Sequence, residues 1–288
     1  MIIVNLKGGV GNQLFQYAIG KHLAYKNNTE LKLDISGLDR ANEVGDIYRP
    51  FDLNSFAIKT QIADSEEIAR LKYPYGLLSK VWRWFVFKIL RQKNLIFNPN
   101  ILQWSDNTYL DGYWQSPKYF DDIREILLKE LTLNKPLSAS AQDYLKKIEE
   151  NNSTALHVRR GDYVKNPTVL KEFGICSNNY YSKAVRYISE NIINPTFFVF
   201  SDDIEWVKTN IKLPESTIYV EGRDMSNVED LILMSKCKHN IIANSSFSWW
   251  SAWLNNNINK IVIAPSPWFD TIEYDKDLIP KSWIQIQK

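Results

Sequence analysis

Thr154-Ala155-Leu156-His157-Val158-Arg159-Arg160-Gly161-Asp162-Tyr163 is an apolar strand that runs out into two guanidiniums and a carboxylate. Strand ends in open α/β sheets face the ligand crevice, and arginine grips a diphosphate through paired hydrogen bonds. The stretch therefore reads first as an anion site, above all for a nucleotide diphosphate. Two plainer readings stand beside it. One is a strand edge carrying solvated charges. The other is Arg160-Gly161-Asp162 as an adhesion tripeptide, which needs an exposed flexible loop rather than a strand leading straight into it.

Outward from this stretch the second half alternates regularly. Strands are expected at about 154–159, 196–201, 216–220, 239–243 and 260–264, with helices at about 178–191, 203–210, 226–237 and 246–256. That is a doubly wound, Rossmann-like pattern. The first half opens with a buried strand at 2–6, a glycine loop, a helix at about 14–25 and a second strand at 30–35. Residues 36–60 show no clear period. Asp64-Ser65-Glu66-Glu67 has the form of a capping box. A strand is expected at 108–113, and Ser116-Pro117 opens a helix expected to run to Leu131. The Leu133-Asn134-Lys135-Pro136-Leu137-Ser138 stretch reads as a connection, so residues 1–135 and 136–288 are expected to be two Rossmann-like domains facing across a cleft.

The chain has 288 residues, 44% hydrophobic and 24% charged, with a net charge of +2. Such a balance excludes the strong basic field of a nucleic-acid binder. Two cysteines and three histidines, without ligand spacing, argue against a structural zinc site and suit a reducing compartment. The first residues lack the basic flank of a signal peptide, and no stretch has the length of a membrane span, so a cytoplasmic protein is expected. Residues 80–93 are basic, aromatic and helix-compatible. Their apolar residues are spread around the helix, which leaves burial, peripheral membrane docking and a subunit contact all open.

Three further segments carry chemistry. Lys7-Gly8-Gly9-Val10-Gly11-Asn12-Gln13 lies between strand and helix, where glycines let backbone N–H groups approach a phosphate. It is neither a P-loop nor a dinucleotide fingerprint. Phe197-Phe198-Val199-Phe200-Ser201-Asp202-Asp203 is a buried strand ending in two carboxylates. Those carboxylates suit a helix cap, a ribose or base contact, or a Mg²⁺ site. Asp230, followed by Asn244-Ser245-Ser246-Phe247-Ser248-Trp249-Trp250-Ser251, supplies a carboxylate and then a serine cluster at a helix start, where free N–H groups and hydroxyls can cradle phosphate.

Together, Gly8 to Ala18, Gly112 to Phe120, His157 to Tyr163 and Ala243 to Trp250 resemble the motifs of the bacterial α-1,2-fucosyltransferases of glycosyltransferase family 11, in order and over nearly the whole chain. The resemblance implies a two-domain α/β GT-B fold. It also implies metal-independent, inverting transfer of L-fucose from GDP-β-L-fucose, usually to the 2-hydroxyl of a galactose in an oligosaccharide or lipid-linked glycan. GDP-fucose is then a co-substrate and no cofactor is expected.

By the same resemblance His157 and Asp230 would recognise guanine, and Arg159 would grip the β-phosphate. The Ser245-Ser246-Phe247-Ser248 segment would close over the diphosphate, and Gly9 and Gly11 would give it backbone access. Arg160, Asp202 and Asn244 join the expected donor-binding set. Asn12 would sit where donor and acceptor meet. Asp162 is the nearest motif carboxylate for a base, and is equally suited to buttressing Arg159 or Arg160. His22 and His239 are poorly placed for that role. Acceptor contacts are expected among Tyr48, Arg49, Trp82 and Trp104, for each of which core packing is as good an account.

Overall fold

The computed structural model describes residues 1–38, 49–73, 97–161, 164, 166–222, 224–270 and 275–288. The 80–93 segment, Tyr48, Trp82, Asp162 and Tyr163 lie outside the described residues. The chain divides into two compact units, Met1–Lys135 and Pro136–Lys288.

In the first unit, β1 (Ile2–Asn5) is buried along its length. It lies centrally in a parallel four-stranded sheet with β2 (Leu31–Asp34), β3 (Gln61–Ile62) and β4 (Thr108–Leu110), in the order β3-β2-β1-β4. The first helix, α1 (Val10–Lys26), begins four residues before the expected start. Gly9, extended at φ −73°, is its N-cap, and the Gly9 carbonyl accepts from the N–H groups of Asn12 and Gln13. The glycine motif is thus the first turn of the helix as well as the loop before it. The capping box forms: Asp64 accepts from the N–H groups of Glu66 and Glu67 at the head of α2 (Ser65–Lys72), and Glu67 accepts from the Asp64 N–H.

Two expectations fail in this unit. The strand expected to reach Tyr113 stops at Leu110. The helix expected from Ser116 is instead two 3-10 turns, Pro117–Tyr119 and Asp121–Ile123, followed by α3 (Arg124–Glu130). The break falls at Phe120, whose φ of −153° is not helical. Its ring is fully buried, 6.0 Å from that of Phe15 on α1. Seating that side chain overrides local helix propensity.

The second unit runs α4 (Ala139–Glu150), β5 (Asn152–Val158), α5 (Pro167–Phe173), α6 (Asn178–Asn191), β6 (Pro195–Ser201), α7 (Ile204–Asn210), β7 (Ile218–Tyr219), α8 (Asn227–Lys236), β8 (His239–Ile241), α9 (Ser246–Leu254), β9 (Val262–Ser266) and β10 (Ile284–Gln287). The short α5 and the edge strand β10 were not legible in the sequence. All six strands are parallel in the order β10-β9-β8-β5-β6-β7. Side chains alternate as the pleat requires. Leu156, Val158 and Val199 pack into one core layer, and Ala155, Phe198 and Phe200 into the other. The chain leaves β5 for β6 on one side and returns through β8 on the other. Ligands in such sheets bind at that switch point, beyond the carboxyl ends of the strands. Among the described residues no helix is long and apolar enough to cross a membrane.

Candidate active site

Arg159 and Arg160 leave the carboxyl end of β5 beside the carboxyl end of β6, and the two strand ends interlock. Asp202 bonds Arg159 Nη1 through Oδ2 at 2.8 Å and accepts the Arg160 backbone N–H on Oδ1 at 2.9 Å. Asp203 caps α7 by accepting from the Trp206 N–H, and its other oxygen takes Arg160 Nε at 3.3 Å. The Arg160 guanidinium lies 3.7 Å from the centroid of the Trp206 ring. Gly161 is required here, because a Cβ would come within 2.4 Å of the Asp202 carboxylate. Asp203 caps a helix, and both carboxylates orient arginines. Asp202, expected in the donor-binding set, bonds Arg159, which is expected in the same set. Among the described residues no cluster of three or more His, Cys, Asp or Glu side chains is arranged to hold a metal ion.

His157 points from β5 toward the second core layer, with its ring 5.5 Å from that of Phe247 at the start of α9. It is buried, and its Nδ1 has no hydrogen-bond partner. Burial, and after it the Arg159 charge, push the imidazole down to about 3. The ring is therefore neutral at physiological pH.

Asp230 lies in the first turn of α8 beside Glu229, and the two carboxylates differ. Glu229 accepts from Ser138 N, Ser226 N and Ser226 Oγ, closing a capping box. The Asp230 carboxyl is pushed up to about 7, by burial first and by Glu229 second. A half-buried carboxylate with a raised pKa is a recurrent mark of a binding or catalytic site.

The run from β8 into α9 divides the expected phosphate cradle. Ser245 is the N-cap residue, yet its hydroxyl makes no capping bond. The first-turn N–H groups of this nine-residue helix stand at the switch point next to β5, where an anion is favoured. Ser246 and Phe247 are half-buried. Ser248 is fully buried and donates back to the Ala243 and Ser245 carbonyls. Asn244, also in the expected donor-binding set, is tied into the fold. It is buried, donates to the carbonyls of Phe173, Gly174 and Trp268, and accepts from Cys176 Sγ at 3.6 Å. An amide so engaged ties α5 and the β9 exit to the strand end.

In the first unit the glycine loop is held from behind. Gln13 donates to the Gly8 and Pro50 carbonyls and accepts from the Asp52 N–H, while Gln16 bonds both backbone groups of Lys7. Gly8 has φ +77°, and a Cβ there would meet Asn12 Nδ2 at 2.6 Å. A Cβ on Gly9 would lie 3.9 Å from an Arg49 guanidinium nitrogen. Burial, opposed by Arg49, pushes the Asp52 carboxyl up to about 6. Asn12 Oδ1 accepts from Gln115 Nε2 at 2.8 Å, which fixes the orientation of the Asn12 amide.

The carboxyl end of β4 carries a second cluster. Asp111 Oδ1 accepts from Lys7 Nζ at 2.8 Å and from Asn5 Nδ2 at 3.1 Å. Trp114 is buried at φ +53°, and its indole N–H has no partner. Positive φ at so bulky a residue costs ~1–3 kcal/mol.

The structure thus brings His157, Arg159, Arg160, Asp202 and Ser245 to Ser248 to adjoining strand ends of one sheet, and Gly9, Gly11 and Asn12 to the head of α1 in the other unit. Asp162 lies outside the described residues. His22 pairs with Asp122, and His239 Nδ1 accepts from the Ile261 N–H, so both have local structural contacts. Exposed Trp104 packs edge-on to Trp114. The sequence reading missed the Lys7–Asp111 pair, whose only signal is a position at two strand ends that become neighbours once β1 pairs with β4.

Two parallel Rossmann-like sheets, with an arginine pinned at the switch point of one and a glycine loop at the head of the other, have the architecture of a GT-B-like glycosyltransferase. A crystal structure of the α-1,6-fucosyltransferase NodZ soaked with GDP-fucose superposes with a TM-score of 0.52 at 14% identity, covering 88% of this chain and 91% of that one. NodZ from Bradyrhizobium in a second crystal structure gives 0.51 at 13% identity, over 87% and 92%. Residues 82–287 match the model of glycosyl transferase family 11, and the chain belongs to that family. It is 34% identical to an α-1,2-colitosyltransferase of Escherichia coli, over 100% of this chain and 99% of the relative. It is 35% identical to the O-antigen biosynthesis glycosyltransferase WbnK of Escherichia coli, over 98% and 99%. A galactoside α-(1,2)-fucosyltransferase 2 of Sus scrofa is 27% identical over 62% of this chain and 55% of the relative.

Proposed function

We infer that this glycosyltransferase moves L-fucose from GDP-β-L-fucose, with inversion, to the 2-hydroxyl of a terminal galactose on a surface glycan assembled at the cytoplasmic face of the membrane. Pro136–Lys288 is the donor-binding unit and Met1–Lys135 the acceptor unit. The observation that carries this reading is the convergence of the Asp202-braced Arg159 and the open N-terminus of α9 at the β5/β8 switch point. The O-antigen relative supports the glycan setting.

Negative charge builds on GDP as the glycosidic bond breaks. Arg159 and the first-turn amides of α9 act where that charge grows, as fixed donors that need no reorganisation. Asp230 as a carboxylate accepts from the guanine N1–H and 2-amino group. Neutral His157 offers its buried Nδ1 and its ring face, beside Phe247, to the base. Asp162, the nearest motif carboxylate, takes the proton of the incoming hydroxyl. No step calls for a metal ion.

One relative favours a second reading, in which the donor carries colitose, the 3-deoxy form of L-fucose. A donor screen with β-galactoside acceptors, with the product linkage read by NMR, separates the two. The expected result is α-1,2-fucosyl product, falling at least ~10²-fold in Arg159→Ala. Transfer from the colitosyl donor alone would establish the second reading, and donor binding with no transfer to any acceptor would defeat both.

A further inference from the structure

We propose that Lys7, Asp111 and Tyr113 form an acceptor-sugar subsite within the first unit, with the Asp111 carboxylate as its specificity-determining group. The proposal rests on the transferase reading above and names the side chains that would hold its acceptor.

Four observations carry it. The cluster sits at the carboxyl ends of β1 and β4, which are adjacent although β2 and β3 intervene in sequence. It thus occupies the first unit's own switch point, where open α/β sheets bind ligands. The Lys7 and Asp111 side chains are 19% and 25% exposed, too covered for an ordinary solvated pair yet open to a ligand. Tyr113 is 37% exposed, with the Lys7 ammonium 5.0 Å from its ring centroid. The strained turn at Trp114 then separates exposed Tyr113 from Gln115, which holds Asn12 at the head of α1. Its indole folds back over Gly112, where a Cβ would meet ring atoms at 2.8 Å, and its buried N–H is unpartnered. Glycine or asparagine would adopt this φ at less cost. A bulky residue kept there presents Tyr113 outward and Gln115 inward, and strain of this kind accumulates at ligand sites.

The chemistry fits a neutral hexose. A fixed carboxylate accepts from two vicinal hydroxyls, a lysine donates to a ring or hydroxyl oxygen, and an exposed aromatic ring covers the apolar face of the sugar. Discrimination arises because an acceptor lacking one hydroxyl leaves one lone pair of the carboxylate unmatched.

The test uses full-length enzyme with GDP-fucose and a panel of β-galactosyl disaccharides. Acceptor KM, donor KM and melting temperature are measured for wild type, Asp111→Asn, Lys7→Met and Tyr113→Ala. The expected result is an acceptor KM raised at least tenfold in Asp111→Asn and Tyr113→Ala, with donor KM within twofold of wild type. Asp111→Asn should also discriminate less between galactose and its 3- and 4-deoxy analogues. A fall in melting temperature with acceptor KM unchanged would assign the pair to the fold alone and overturn the subsite. Absence of transfer by wild type from any GDP-sugar would instead sink the transferase reading, and the subsite with it.

Discussion

Asp230 is the residue at which binding and stability should pull in opposite directions. Its carboxyl stands near 7 against an ordinary 3.8, raised by burial and by Glu229. A group whose folded value exceeds its unfolded one favours the fold while protonated. Stability of the empty enzyme should therefore decline as pH rises from about 4 to about 7, and level off above that. At 1.36 kcal/mol per pH unit the full effect is ~4 kcal/mol. With the carboxyl partly solvated, about 2 kcal/mol is a working figure, or roughly 4–8 °C for a unit of this size. Asp230→Asn removes the charge and keeps the shape, so at pH 8 the empty variant should melt higher than wild type by about that amount. Guanine recognition runs the other way, since only the carboxylate accepts two donors. Affinity for GDP-fucose, whose pyrophosphate carries no proton near neutrality, should fall about tenfold between pH 8 and pH 6. His157, neutral throughout that range, adds nothing to the slope. Calorimetric titration of GDP-fucose at three pH values, with scanning of the empty proteins, reads both effects. A variant no more stable than wild type that binds GDP-fucose with unchanged affinity and pH dependence would refute the assignment of Asp230 to the base.

Two further outcomes are expected. Chelation with EDTA should leave transfer intact, because both strand-end carboxylates orient arginines; activity lost to EDTA and restored by Mg²⁺ would assign them to a metal instead. Asn244→Ala should destabilise the second unit by about 2–4 kcal/mol, leaving several buried carbonyls without their donor. Its donor KM measured well below the melting point should stay near that of wild type, and a selective rise in donor KM with unchanged stability would return Asn244 to the ligand.

The second unit was the more legible because its strands are buried on both faces and read as short apolar runs between amphipathic helices. The helix at 178–191 and the strand-end arginines were placed directly. What the sequence concealed was set by tertiary contacts. Phe120 breaks an apparently continuous helix to reach Phe15, and the start of α1 at Val10 is hidden because its glycine N-cap, Gly9, leaves no side-chain signal. The role of Asp202 was ambiguous for the same reason. A carboxylate at a strand end serves cap, metal or ligand equally well until the neighbouring strand supplies an arginine.

Adjacent residues of like chemistry take opposite roles at this site, and backbone geometry explains why. Successive side chains point apart on a strand and turn by about 100° on a helix. Two neighbours therefore cannot face the same surroundings. Glu229 closes a capping box while Asp230 is left half-buried with its carboxyl pKa raised. Asn244 turns inward to three carbonyls while the Ser245 hydroxyl makes no capping bond. Arg160 is held on one side by Asp203 and on the other by Trp206, whereas Arg159 is braced by Asp202 at the mouth of the switch point. In each pair one member makes the other's position rigid. Preorganisation of that kind is what a donor site needs if its groups are to meet developing charge without moving. The motif's paired residues thus combine a site with its own scaffold. Conservative replacement of the scaffold member, Asp202→Asn for example, should lower turnover through misplacement of Arg159.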